Sequence, residues 1–221
     1  MAAISVLALA ATGCFAPISV SSHEFDRTGE LVISGAGCTE VDPWTGETFV
    51  QLGLWSAGEQ PARNTYVTPD ETGAWSYAHR ENSFLPRPAG LYEVGAQCNW
   101  DNEPYPGARV VLTPGTAPQI DGQLLVSATT ARPGQVVSIE GDRFLSGVVA
   151  GVFLYPSQTH LANVRPGADN VLRAQITIPV HTAPGTHRII AEGWGPPGGW
   201  NGTGPIPSPI WTYAADITVV P

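Results

Sequence analysis

A chain of 221 residues with 25 glycines, 21 prolines and only 13% charged side chains suits two small cores better than one, and favours strands and turns over helices. The formal net charge is −9 and every basic side chain is arginine, so there is no basic patch to follow a phosphate backbone, which excludes nucleic acid as a partner. Lysine is absent, a coding bias expected of a GC-rich genome.

The chain opens with an apolar stretch, residues 1–14, that is too short to span a bilayer and reads as a signal segment. Its end, Leu9-Ala10-Ala11-Thr12-Gly13-Cys14, resembles a bacterial lipobox, with Ala11 where Leu is preferred; no basic residue precedes Arg27. The resemblance implies a diacylated Cys14 and a membrane tether through lipid. The alternative is a buried N-terminal strand. With Cys14 lipidated, Cys38 and Cys98 remain as a pair that an oxidising exterior lets form a disulfide. Neither has a Cys or His at the short spacing of a structural zinc site, so no metal is expected.

Strand-like alternation then recurs between Gly, Pro, Asn and Asp punctuation, without a sustained helical period. In the first half the strands expected are residues 31–34, 49–55, 75–78, 91–98 and 109–112. In the fourth, Tyr92, Val94, Ala96 and Cys98 share one face and Glu93 and Gln97 the other, which points Cys98 inward.

The second half repeats the first. Residues 28–35 align with 133–141 through one insertion, and 89–96 with 184–191; each is a glycine turn feeding a strand. Thr113-Pro-Gly-Thr-Ala-Pro118 lies between the copies and reads as a short semi-rigid linker. Ala131-Arg-Pro-Gly-Gln-Val-Val, Gly141-Asp-Arg-Phe144 and Ile178-Pro-Val-His-Thr-Ala-Pro-Gly-Thr-His187 resemble the immunoglobulin-like repeat of actinobacterial surface proteins, departing from it at Val180 and in the long segment after Gly193. The first half resembles the same family more loosely, and its Cys pair is similar to the bridge linking strands B and F in immunoglobulin sandwiches. The expected fold is therefore all-β, with two tandem immunoglobulin-like β-sandwich domains after an N-terminal signal segment: residues 15–113 and 119–221, joined by 114–118. The resemblance implies an exported, non-catalytic cell-surface module for structural display, adhesion or protein binding.

Catalytic motifs are missing from the sequence: there is no Gly-x-Ser-x-Gly elbow, no His-Glu-x-x-His and no phosphate-cradling loop. His23, His79, His160, His181 and His187 are scattered and read as surface or turn residues. The acidic groups Glu40/Asp42/Glu47 and Asp101/Glu103 admit a glycosidase pair or calcium in principle, and read as solvated loop charge. No cofactor is called for. Trp55 and Trp75 are expected in strands, as core or sheet-face residues. Trp44 and Trp100 fall in the loops after Cys38 and Cys98, and Trp194 and Trp200 in the Gly/Pro-rich segment 193–209. Strands B and F of such a sandwich run the same way, so their following loops share one end. Trp44, Trp100, Asp101 and Tyr105, with Trp194 and Trp200 in the second domain, are thus the candidate binding residues for a protein or glycan of the cell envelope or exterior. The alternative is a carbohydrate-binding module stacking sugars on a row of exposed tryptophans.

Overall fold

A computed structural model describes residues 17–59, 65–81, 87–99, 105, 107–197 and 209–221. No helix occurs among them. The first eight strands are β1 (Ser19–Val20), β2 (Glu24–Asp26), β3 (Glu30–Gly35), β4 (Val50–Ser56), β5 (Thr65–Val67), β6 (Trp75–Arg80), β7 (Gly90–Cys98) and β8 (Ala108–Thr113). Nine follow: β9 (Gly122–Gln123), β10 (Leu125–Val126), β11 (Thr130–Ala131), β12 (Val136–Gly141), β13 (Ala150–Tyr155), β14 (Thr159–Val164), β15 (Leu172–Thr177), β16 (Gly185–Trp194) and β17 (Ile210–Val219).

They form two sandwiches of the same design. In the first, the sheet β1-β3-β6 faces the sheet β2-β8-β7-β4-β5; in the second, β10-β12-β15 faces β11-β17-β16-β13-β14. In each, a short strand pairs in parallel with the last long strand, β2 with β8 and β11 with β17; β9 also pairs in parallel with β17, and the remaining pairings are antiparallel. This places three strands against five in the first sandwich and three against six in the second, where β9 adds to β17, the two-sheet plan of an immunoglobulin-like sandwich. The strands equivalent by order are β3 with β12 and β7 with β16, the same segments that the internal repeat aligns.

Alternation explains the cores. Along β7, Tyr92, Val94, Ala96 and Cys98 are buried while Glu93 and Gln97 are half-buried on the outer face, so Cys98 points inward as the pattern requires. These side chains meet Leu31, Ile33 and Trp75 from the facing sheet. The second core joins Val137, Ile139 and Ile176 to Val152, Ile189 and Ile217, with Phe144 fully buried among them. At the start of β7, the Tyr92 hydroxyl donates to the Pro88 carbonyl at 2.6 Å, tying the corner between β6 and β7 back on itself. Burial pushes that phenol above the range in which it ionises.

Between the sandwiches lies a third apolar group, Ala89, Phe153, Tyr155, Ile190 and Ala214, with Val111 packed against it. Backbones touch here. A Cβ at Gly151 of β13 would lie 2.2 Å from the Ala89 carbonyl oxygen and 2.7 Å from the Gly90 Cα, so only glycine admits the approach. Around this contact Asn163 of β14 accepts from the Leu91 N–H and donates to the Leu91 carbonyl, each at 2.9 Å, and Arg165 donates to Glu59 and the Gly58 carbonyl. Glu192, 1% exposed, receives both terminal nitrogens of Arg27, the Ala89 N–H at 2.6 Å and the Thr212 hydroxyl at 3.3 Å. Both carboxylate oxygens are thereby satisfied, as a buried charge demands. The Tyr155 hydroxyl donates to the Gly115 carbonyl in the connecting segment.

Candidate functional site

β3 ends at Gly35, three residues before the first bridging cysteine, so Cys38 belongs to the loop and not to the strand, while Cys98 is the last residue of β7. Their sulfurs are bonded, with Cα atoms 5.4 Å apart and 60 residues of sequence between them. Both are fully buried. The bridge fixes the loop base against the end of β7.

Asn99 adds a second latch. It sits in the left-handed region at φ 52°, which asparagine tolerates better than most residues. Its amide nitrogen donates to the Glu40 carbonyl at 2.7 Å, and its amide oxygen accepts from the Phe49 N–H at 3.1 Å. Both ends of the 36–49 loop are thus held by one side chain. The Gln51 amide, buried on β4, donates to the Asn99 carbonyl at 3.2 Å.

Above this base the chain makes a tight turn organised by Asp42. Its carboxylate accepts from the Trp44 N–H at 2.9 Å, the Thr45 N–H at 2.8 Å and the Thr45 hydroxyl at 3.1 Å. Burial works against the ionised form, and those bonds outweigh it, holding the carboxyl below the ordinary aspartate range. Asp42 is 1% exposed, so the expectation of solvated loop charge fails for it: it is a turn-forming residue. Glu40 and Glu47 are exposed. Gly46, at φ 73°, closes the turn by donating to the Asp42 carbonyl at 2.8 Å. Pro43 and Trp44 form its crown. Trp44 is 85% exposed, and Val41 61%. Beside the loop lies a cleft of about 500 Å³ between Cys38, Thr39 and Glu47 on one side and Thr68, Asp70 and Glu71 on the other.

The remaining candidates part company. Tyr105 is only 3% exposed, its ring 5.6 Å from that of Trp75 in an edge contact; it closes the core and is not a surface contact. Trp194 is the last residue of β16, paired with Ile210 and half-buried, so it belongs to a strand end and not to a loop. Trp100, Asp101, Trp200, Glu103 and the lipidation candidate Cys14 lie outside the described residues. Trp75 is core and Trp55 half-buried on the outer sheet face. Two histidines leave the surface role expected of them. His79 bonds Glu81 at 3.0 Å, and His160 bonds Asn163 at 2.9 Å beside the junction, where burial lowers its basicity. Among the described residues, no group of three or more His, Cys, Asp or Glu is arranged to hold a metal ion. Asn99 and the Arg27–Glu192 pair were not anticipated; an Asn directly after a strand-ending Cys is a signal for the first, and nothing local marks the second.

No protein-family model matches the chain, and no curated protein matches it. Solved structures resemble it distantly. A tetra-tandem repeat from the extending region of a large adhesion protein is 14% identical at a TM-score of 0.35, covering 91% of this chain and 48% of its own. The Escherichia coli adhesin FdeC is 11% identical at 0.31, covering 92% and 63%. The fibronectin(III)-like modules of Clostridium thermocellum CbhA are 11% identical at 0.27, covering 91% and 94%. The chain thus spans about half the first of these and under two thirds of the second. Scores this low carry no inference about function, and the fold rests on the strand order itself.

Proposed function

We propose that the chain is an exported, non-catalytic cell-surface module that presents a protein-binding loop in a fixed orientation, with Trp44 as its anchor. The observation that carries this reading is a tryptophan 85% exposed on a loop whose base is stapled and latched. An indole left in water costs solvation unless something covers it, and a loop already ordered loses little entropy on binding. The acidic cleft alongside favours a partner that brings basic groups to Glu47 and Glu71. A buried disulfide suits an oxidising exterior, and the polar junction between the sandwiches suits display at a set angle. Tethering by lipid on Cys14 completes the reading.

The test is capture of cell-envelope proteins on the immobilised chain. Trp44→Ala should weaken the captured interaction by at least about 2 kcal/mol while leaving the fold intact. An unchanged set of captured proteins at unchanged affinity overturns the loop as the site. Separately, Cys14→Ser should release the protein from the membrane fraction into the medium, and unaltered fractionation rules out lipidation.

A further inference from the structure

The outer face of the first sandwich's larger sheet carries a second feature, unconnected with the Trp44 loop. Trp55 of β4, Glu93 of β7 and Arg109 of β8 are direct cross-strand neighbours in one row. The adjoining row is bare backbone. Gly53 faces Gly95, and Gly107 stands next to them immediately before β8. Glycine weakens a strand interior and packs nothing, so where it recurs in register it marks a place where another group approaches the backbone. Trp55 makes one such approach: a Cβ at position 95 would fall 2.2 Å from its Cη2. The remaining space is a cleft of about 360 Å³ whose walls include Trp55, Glu93, Gly95, Gly107 and Arg109, within the size range of small-molecule sites.

Its polar wall is pre-set. The Trp55 indole N–H donates to Glu93 Oε2 at 3.3 Å, and Arg109 Nη2 donates to Glu93 Oε1 at 3.2 Å. A carboxylate oxygen accepts more than one bond and a guanidinium has five N–H donors, so both groups keep capacity for a ligand. Glu93 and Arg109 form an ion pair, leaving no net charge in the wall. An aromatic body beside a neutral acceptor–donor pair, over bare backbone, matches a ligand with one apolar face and adjacent hydroxyls. We propose that this cleft binds a pyranose ring of a neutral glycan, its C–H face against Trp55 and two neighbouring hydroxyls bonded to Glu93 and Arg109.

The experiment is a titration of the ¹⁵N-labelled full chain with linear oligosaccharides of glucose, mannose and N-acetylglucosamine, following indole N–H signals. The Trp55 signal is assigned by its loss in Trp55→Phe. At least one oligosaccharide should shift that signal saturably. Glu93→Gln and Arg109→Ala, both on the outer face, should each weaken the affinity at least about tenfold, or about 1.4 kcal/mol, with the other indole signals in place. Trp44→Ala should leave it unchanged, so the two sites fail or stand separately. The proposal is overturned if none of the three sugars gives a saturable shift, in which case the Trp55 ring serves only to cover glycine backbone. It is equally overturned if binding survives both polar substitutions, or if an oligomer of uronic acid binds while the neutral sugars do not.

Discussion

At the end of the first core, three residues past β3, stands half of a disulfide; at the same place in the second core, three residues past β12, stands Phe144. The alignment that sets Gly35 against Gly141 and Ala96 against Ala191 continues to set Cys38 against Phe144 and Cys98 against Gly193. The structure bears out the exchange. A Cβ at Gly193 would lie 3.0 Å from the Phe144 ring, so the ring occupies the space above a bare strand position where the first sandwich has a covalent bond. Tyr213 supports it with its ring 5.2 Å away. One topology thus accepts two closures, one acting chiefly on the unfolded chain and one acting through packing in the folded state.

That contrast makes the largest prediction. Replacing Cys38 and Cys98 by alanine should destabilise the first sandwich by about 4 kcal/mol, the chain-entropy value for a loop of this length. Phe144→Ala should cost the second about 3–5 kcal/mol through the cavity it leaves. Reducing agent should mimic the first change and spare the second sandwich. Urea unfolding followed by hydrogen exchange in each half checks this; equal sensitivity of both halves to reductant breaks the comparison.

The junction gives the next effect. Arg27→Met leaves the Glu192 carboxylate buried without its charge partner. The loss should be about 2 kcal/mol, below the 3–5 of a fully buried pair because Arg27 keeps contact with water. Gly151→Val should act differently, forcing the sandwiches apart at Ala89 and Gly90 while each core stays folded. Faster proteolysis between residues 113 and 122, with both cores protected from exchange, is the expected signature. If Gly151→Val instead unfolds the second sandwich outright, the contact belongs to its core and not to the junction.

Acid should sharpen the same contrast by a smaller amount. Burial tends to raise the Glu81 carboxyl in the first sandwich, but hydrogen bonds from His79 and Arg87 and the Arg87 charge outweigh it, so its pKa is lowered. The stability it contributes is complete above the unfolded value of about 4.3 and is lost as pH falls from there through the lower folded value. The first sandwich's thermal midpoint should therefore drop over that window, and Glu81→Gln should flatten the drop. An identical acid response in Glu81→Gln would remove the network as its cause.

The parts of this molecule that could be read from its sequence are those with a period. β7 announces its buried face by alternation, and the five strands expected in the first half appear as β3, β4, β6, β7 and β8 with ends moved by a residue or two. The short strands β1, β2 and β5 were not legible, because two or three residues carry no period and owe their state to a neighbour. Loop placement was harder. Tyr105 looked like a loop aromatic because only its sequence neighbours were visible, whereas Trp75 across the core decides its burial. Composition places Trp194 in a glycine-rich segment starting at Gly193, whereas β16 runs through Trp194 and the segment starts two residues later. The Arg27–Glu192 pair spans 165 positions, and no local pattern encodes a partner at that distance.

The smallest expected effect concerns Trp44, and it separates the loop's shape from its purpose. Its indole is 85% exposed, so deleting the ring removes almost no buried area. The turn beneath is held by Asp42, Gly46 and Asn99 through bonds to backbone and to Thr45, and only the backbone N–H of Trp44 takes part. Trp44→Ala should therefore change stability by no more than about 0.5 kcal/mol, even though it is the substitution expected to weaken partner capture most. A large loss of stability would mean that the ring folds back on the sandwich end in solution, and the loop would then be a plug with no anchor to offer. An unchanged melting midpoint together with lost capture leaves the exposed ring serving its partner and not its own fold.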